Sequence, residues 1–71
     1  MSSKNSVPKI GKNIKRIRQE KGISQDRLSK RADLALNTIV NIESGESPNP
    51  TIETLQEIAN ALEVSIEELI K

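Results

Sequence analysis

The sequence predicts an all-α protein, a compact bundle of five helices, on three observations. Its aliphatic residues, ten Ile, six Leu and three Val, recur at helical rather than alternating spacing, and no stretch carries the period of a strand. Gly22, Gly45 and the Pro48 to Pro50 stretch cut the chain into short pieces, with a linker at Asp33-Leu34 and a further break at Glu63-Val64. Cysteine and histidine are both absent, which excludes disulfides, thiolate zinc sites and most transition-metal sites, so aliphatic packing must hold the fold. Seventy-one residues suit one domain, near the size at which a single core becomes marginal.

Residues 1–8 are polar, Ser-rich and unpatterned, and read as a flexible N-terminal arm carrying Lys4; residues 9–71 form the domain. After Pro8, Ile10, Ile14 and Ile17 fall at i, i+4 and i+7 of a first helix that stops at Gly22, a good residue just past a helix end. Its other faces carry Lys12, Lys15, Arg16, Arg18 and Lys21. Ser24 suits the N-cap of a second helix, with Asp26 in the first turn and Leu28 and Ala32 on its apolar side. Ala35, Ile39 and Ile42 give a third helix its own stripe, which ends at Gly45. Only a few residues separate these two short helices, and they bury too little surface between them to stand alone. Such a pair is a helix-turn-helix unit, with a second helix free to present its outer face.

Two prolines in Glu46-Ser47-Pro48-Asn49-Pro50 forbid a helix there. Thr51 is the expected N-cap of a fourth helix, which buries Leu55, Ile58, Ala59 and Leu62 and places Glu53 near the positive end of the dipole. Ser65-Ile66-Glu67-Glu68 has the form of a capping box, predicting a short fifth helix that supplies Ile66, Leu69 and Ile70.

The net charge of +1 conceals a dipole. Residues 1–31 hold ten basic side chains against two acidic ones, +8, and residues 32–71 one against eight, −7. A basic half suits a polyanion, and an acidic half avoids one. The lack of aromatic residues removes the stacking platforms of single-strand binders. Enzymatic chemistry is not expected: no Ser, Lys or carboxylate spacing suggests a nucleophile with its base, and no Gly-rich phosphate loop is present. No apolar run reaches the length of a signal or membrane segment, so a soluble cytoplasmic protein without cofactor, membrane partner or small-molecule ligand is expected.

Gly22-Ile23-Ser24-Gln25, Leu28 with Ala32, Thr38-Ile39 and Ile42-Glu43-Ser44-Gly45 resemble the lambda-repressor and Cro-like helix-turn-helix proteins, the XRE family. Asn49-Pro50-Thr51, Leu55, Ile58-Ala59, Ala61-Leu62 and Val64-Ser65 are similar to that family's fourth helix and its entry into the fifth. The resemblance runs from about Ile10 to Ile70. It implies a five-helix DNA-binding domain acting as a transcription regulator on a two-fold symmetric operator. Three positions depart from the family pattern. Asp33 stands where Gly is common, a substitution that Asp tolerates through its ease in left-handed backbone. Ala35 replaces a Ser or Thr cap, a loss of about 1 kcal/mol, and Glu63 replaces a helix-ending Gly.

With the third helix's buried face centred on Ala35, Ile39 and Ile42, the residues Asn37, Asn41 and Ser44 fall opposite. An Asn amide donates to N7 of adenine and accepts from its N6–H, so Asn37 and Asn41 are base-reading candidates, with Thr38 at the edge. The resemblance implies base contacts at Leu36, Asn37 and Asn41. Leu36 and Val40 lie on neither face, and Leu36 is a candidate for thymine methyls. For phosphate, the amino end of the second helix offers free N–H groups, and Gln25 matches the family's phosphate-clamping glutamine. The resemblance adds Ser24, Ser44 and Asn49. It also implies a structural ion pair between Arg18 and Glu43, keeping the Glu43 carboxylate away from phosphates.

The third helix has no Lys or Arg, so electrostatic attraction is expected from the arm and from residues such as Lys9, Lys12, Arg27, Lys30 and Arg31. Ile52, Ile66, Leu69 and Ile70 exceed what a small core absorbs and are candidate homodimer contacts. The expected function is a sequence-specific double-stranded DNA-binding regulator, a repressor acting as a dimer through the major groove. The rival is an antitoxin-like or other protein-interaction module on the same fold.

Overall fold

A computed structural model describes residues 9–47 and 50–71; the N-terminal arm and Asn49 lie outside the described residues. Five helices follow in order: α1 (Lys9–Glu20), α2 (Gln25–Ala32), α3 (Leu36–Ser44), α4 (Ile52–Leu62) and α5 (Ile66–Ile70). The described residues contain no strand, and no helix among them is long and apolar enough to cross a membrane. α1 packs on α3 and α5, α2 packs on α3 and α4, and α4 closes against α5. Ile14, Leu28, Ile39, Ile58, Leu62 and Leu69 are fully buried where these helices converge. At roughly 1.5–3 kcal/mol for each large aliphatic side chain removed from water, this cluster is the main cohesive term.

The helix ends follow local chemistry. Ser24 Oγ accepts a hydrogen bond from the Arg27 amide at 3.0 Å, and Thr51 Oγ1 accepts one from the Thr54 amide at 3.1 Å. Asp33 ends α2 in left-handed backbone (φ 60°), which lets its amide reach the Lys30 carbonyl at 3.2 Å and the Leu34 amide reach the Ser29 carbonyl at 2.9 Å. Glu63 does the same for α4 with φ 61°. Neither residue is Gly, so both turns carry the modest cost of a Cβ in that region.

Three expectations are corrected. Ala35 is exposed: it is the N-cap of α3, with extended backbone that sets its methyl outside the helical spiral, and Ile39, Ile42 and Glu43 form the buried face instead. The capping box at Ser65 does not form. The Glu68 amide donates to the Ser65 carbonyl rather than its hydroxyl, and the Glu68 carboxylate turns toward Lys71 Nζ at 3.3 Å. Leu69, counted among dimer candidates, is fully buried, because α5 lies on α1 and α4 with this side chain innermost.

Two α1 residues set the closeness of packing. A Cβ on Gly11 would enter the van der Waals wall of the Ile42 carbonyl oxygen and stand 3.2 Å from that of Glu43, so glycine lets α1 lie against the α3 backbone. Asn13 Nδ2 donates to the carbonyls of Leu69 at 2.9 Å and Lys71 at 3.1 Å, satisfying acceptors at the end of α5.

Candidate nucleic-acid interface

Three elements meet through one carboxylate. Arg18, near the end of α1, donates from Nε to Glu43 Oε2 at 2.7 Å and from Nη2 to Oε1 at 3.0 Å, while its Nη1 donates to the Ile23 carbonyl at 2.8 Å. Gln25, the first residue of α2, donates from Nε2 to the same Glu43 Oε1 at 3.0 Å. Both ions are buried, and this fork geometry compensates the desolvation that an isolated charge would suffer. No buried side-chain polar atom among the described residues lacks a partner. The sole ionisable group of α3 therefore points inward.

The outer side of α3 is left without charge. Leu36 is 42% exposed, Asn37 and Ser44 are exposed, and Thr38 and Asn41 are half-buried. Val40 separates from Leu36: it is half-buried and lines, with Lys15, Gln25, Glu43 and Ser44, an open cleft of about 150 Å³ between α1, the start of α2 and α3. Ser44 Oγ donates to the Asn41 carbonyl at 3.1 Å and accepts from the Glu46 amide at 3.3 Å, so its proton already serves the end of α3. The Ser24 hydroxyl accepts within its cap and makes no donation among the described residues.

The cations are carried by α1 and α2, the helices packed on α3, and Lys15 of α1 lines the cleft beside Val40 and Ser44. Arg16 pairs with Glu20 at 3.4 Å and Lys30 with Asp26 at 3.2 Å, both at exposed positions where such pairs hold little energy. Lys12, Lys15, Arg27 and Arg31 make no ion pair among the described residues. In α4 and α5, Ile52 is 71% and Ile70 50% exposed, and Ile66 is half-buried.

Sequence reasoning missed Lys15 as a member of the cleft, although it lies three residues before Arg18 and so on nearly the same side of α1. It also missed the bond from Gln25 to Glu43, which joins residues 18 positions apart and leaves no periodic trace.

Two short helices joined by the Asp33 to Ala35 turn, with the second exposing a neutral outer side next to basic helices, define a helix-turn-helix domain. The chain belongs to the helix-turn-helix family, whose model matches residues 14–69. It is 39% identical over 61 residues to the HTH-type transcriptional regulator y4dJ of Sinorhizobium fredii, a match covering 86% of this chain and 78% of that one. It is 36% identical over 61 residues to the HTH-type transcriptional regulator SinR of Bacillus subtilis, where the match covers 86% of this chain but 55% of SinR. The crystal structure of SinR, the master regulator for biofilm formation, in complex with DNA superimposes with a TM-score of 0.82 at 37% identity, covering 84% of this chain and 95% of that one. The restriction-modification controller protein C.AhdI from Aeromonas hydrophila superimposes with a TM-score of 0.85 at 26% identity, covering 90% and 96% of the two chains.

Proposed function

We propose that this protein binds double-stranded DNA by laying α3 in the major groove and regulates transcription, as a repressor that occupies a palindromic operator as a homodimer. The observation that carries this reading is the uncharged outer side of α3, packed between the basic helices α1 and α2, with Lys15 on the cleft beside it and making no ion pair among the described residues. Its relatives support it, since they are regulators and SinR has been seen on DNA. Leu36, Asn37, Thr38 and Asn41 face base edges. The amino end of α2, with Ser24 and Gln25, meets a phosphate: Ser24 brings a hydroxyl proton, and Gln25 a second amide N–H beside the one held by Glu43. Ser44 joins only by releasing the Asn41 carbonyl.

Two-fold related copies would set their α3 helices about 34 Å apart, one turn of DNA. The exposed Ile52 and Ile70, with part of Ile66, supply the apolar surface for that contact. Titration against random duplex at low salt tests the reading. Binding whose log K falls linearly with log salt is expected, and no binding at low salt would refute it. Sedimentation at micromolar concentration tests the dimer, which a strict monomer both free and on DNA would exclude.

A further inference from the structure

We infer that α3 selects A·T base pairs, reading adenine through the Asn37 and Asn41 amides and thymine through a contact of Leu36 with the C5 methyl. This rests on the reading of the chain as a major-groove DNA binder and adds the class of base it recognises. The inference comes from elimination along the nine residues of α3. Ile39 and Ile42 are core. Glu43 is held by Arg18 and Gln25 inside the fold. Val40 leans into the cleft beside Lys15 and Gln25, and the Ser44 proton is held by the Asn41 carbonyl. Leu36, Asn37, Thr38 and Asn41 remain to face a base.

The four bases ask for different chemistry. Guanine presents two acceptors, N7 and O6, best matched by the parallel donors of Arg or by Lys, and α3 has neither. An Asn amide set against guanine would bring its carbonyl oxygen toward O6, acceptor against acceptor. Cytosine presents the N4 donor, matched by a carboxylate, and the only carboxylate of α3 is buried. Adenine offers an acceptor and a donor side by side, which the amide complements with both of its ends. Leu36, at the first position of α3 and 42% exposed, has only hydrocarbon to offer, and the thymine methyl is the hydrocarbon in the groove. The Thr38 hydroxyl pairs with donor or acceptor and discriminates little.

Because this face is uncharged, it releases no counterions, so substitutions on it should change affinity without changing the salt dependence. Removing a phosphate-contacting cation of α1 or α2 should weaken binding to all sequences alike and flatten that slope. This distinguishes base reading from a general loss of binding.

The test begins with selection of sites from random duplex DNA by the full chain, followed by binding isotherms on the selected duplex. Half-sites with A·T pairs at their centres are expected. Asn37→Ala and Asn41→Ala should each weaken binding by roughly tenfold, with an unchanged salt slope and a relaxed base preference. Replacing the half-site thymines by uracil should weaken the unsubstituted protein while leaving Leu36→Ala indifferent. A G·C-centred consensus, or a Leu36→Ala loss equal on thymine and uracil DNA, overturns the inference. Equal affinity for all sequences also sinks it while leaving DNA binding intact, whereas absence of binding to any duplex at low salt removes the underlying reading itself.

Discussion

α2 and α3 are nearly equal in length, and their ends are stabilised differently. α2 stabilises its own ends: Ser24 caps it, Asp26 sits in the first turn, Lys30 and Arg31 in the last, and Asp33 closes the left-handed turn. α3 has no side-chain cap at Ala35, no acidic residue in its first turn and no basic residue in its last. Both helices reach the core, α2 through Leu28 and Ala32 and α3 through Ile39 and Ile42, so what α3 has in place of stabilised ends is the Arg18–Glu43 bond to α1. The difference shows how a helix can be held in place without charging its surface. Tertiary contacts on the inward side do what capping and dipole complementarity do for α2, and the outer side stays open to a partner.

The comparison makes stability predictions that differ sharply between the two helices. The largest effect belongs to Glu43→Gln, which keeps side-chain size but leaves the buried Arg18 guanidinium without a counter-charge; a loss of about 3 kcal/mol is expected. In thermal unfolding that is a drop of more than roughly 10 °C for a domain of this size, and an unchanged midpoint would break the account of α3. Gly11→Ala drives a methyl into the α3 backbone and should cost about 2 kcal/mol, read as a lower urea midpoint with unchanged slope. Ser24→Ala should cost about 1 kcal/mol by removing the α2 cap. Ala35→Ser tests the same physics with the opposite sign, supplying the cap that α3 lacks and raising stability by about 1 kcal/mol. The smallest effect is Lys30→Gln, which breaks only the exposed pair with Asp26 and should stay within about 0.5 kcal/mol. If Ser24→Ala proved more damaging than Glu43→Gln, the contrast drawn between the helices would be reversed.

Much of this architecture was legible because helices and their ends are encoded locally. The i, i+4, i+7 spacing of Ile10, Ile14 and Ile17 and the caps at Ser24 and Thr51 lie within a turn or two of what they control. Leu69 shows where that logic stops: in a five-residue helix with three apolar side chains, periodicity does not decide which one faces inward, and packing against α1 and α4 does. The Ser65–Glu68 motif matches the sequence pattern of a capping box and does not close as one. Its Glu68 carboxylate pairs with Lys71, three residues on, and the Glu68 amide bonds the Ser65 carbonyl, so neither half of the box is made. At the interface, the neutral stripe of α3 followed from spacing, but the different fates of Leu36 and Val40 did not, because they depend on where Lys15 and Gln25 stand. Gly11 and Asn13 were silent for the same cause: each acts on residues more than 30 positions away.

The bare glycine at position 11 also governs how the molecule would meet a mismatch. With no side chain between them, the α1 backbone lies directly against the carbonyls of Ile42 and Glu43, and the Arg18 fork ties the same two helices about two turns further along α1. α3 has little room to tilt or slide on α1. Contacts made with a DNA strand through α1 and contacts made with base edges through α3 would share one rigid frame, so an offset in one appears in full in the other. On the proposed mode of binding, a softer junction would let α3 settle onto an imperfect site, whereas this one would transfer the misfit to every contact at once and favour rejection over accommodation.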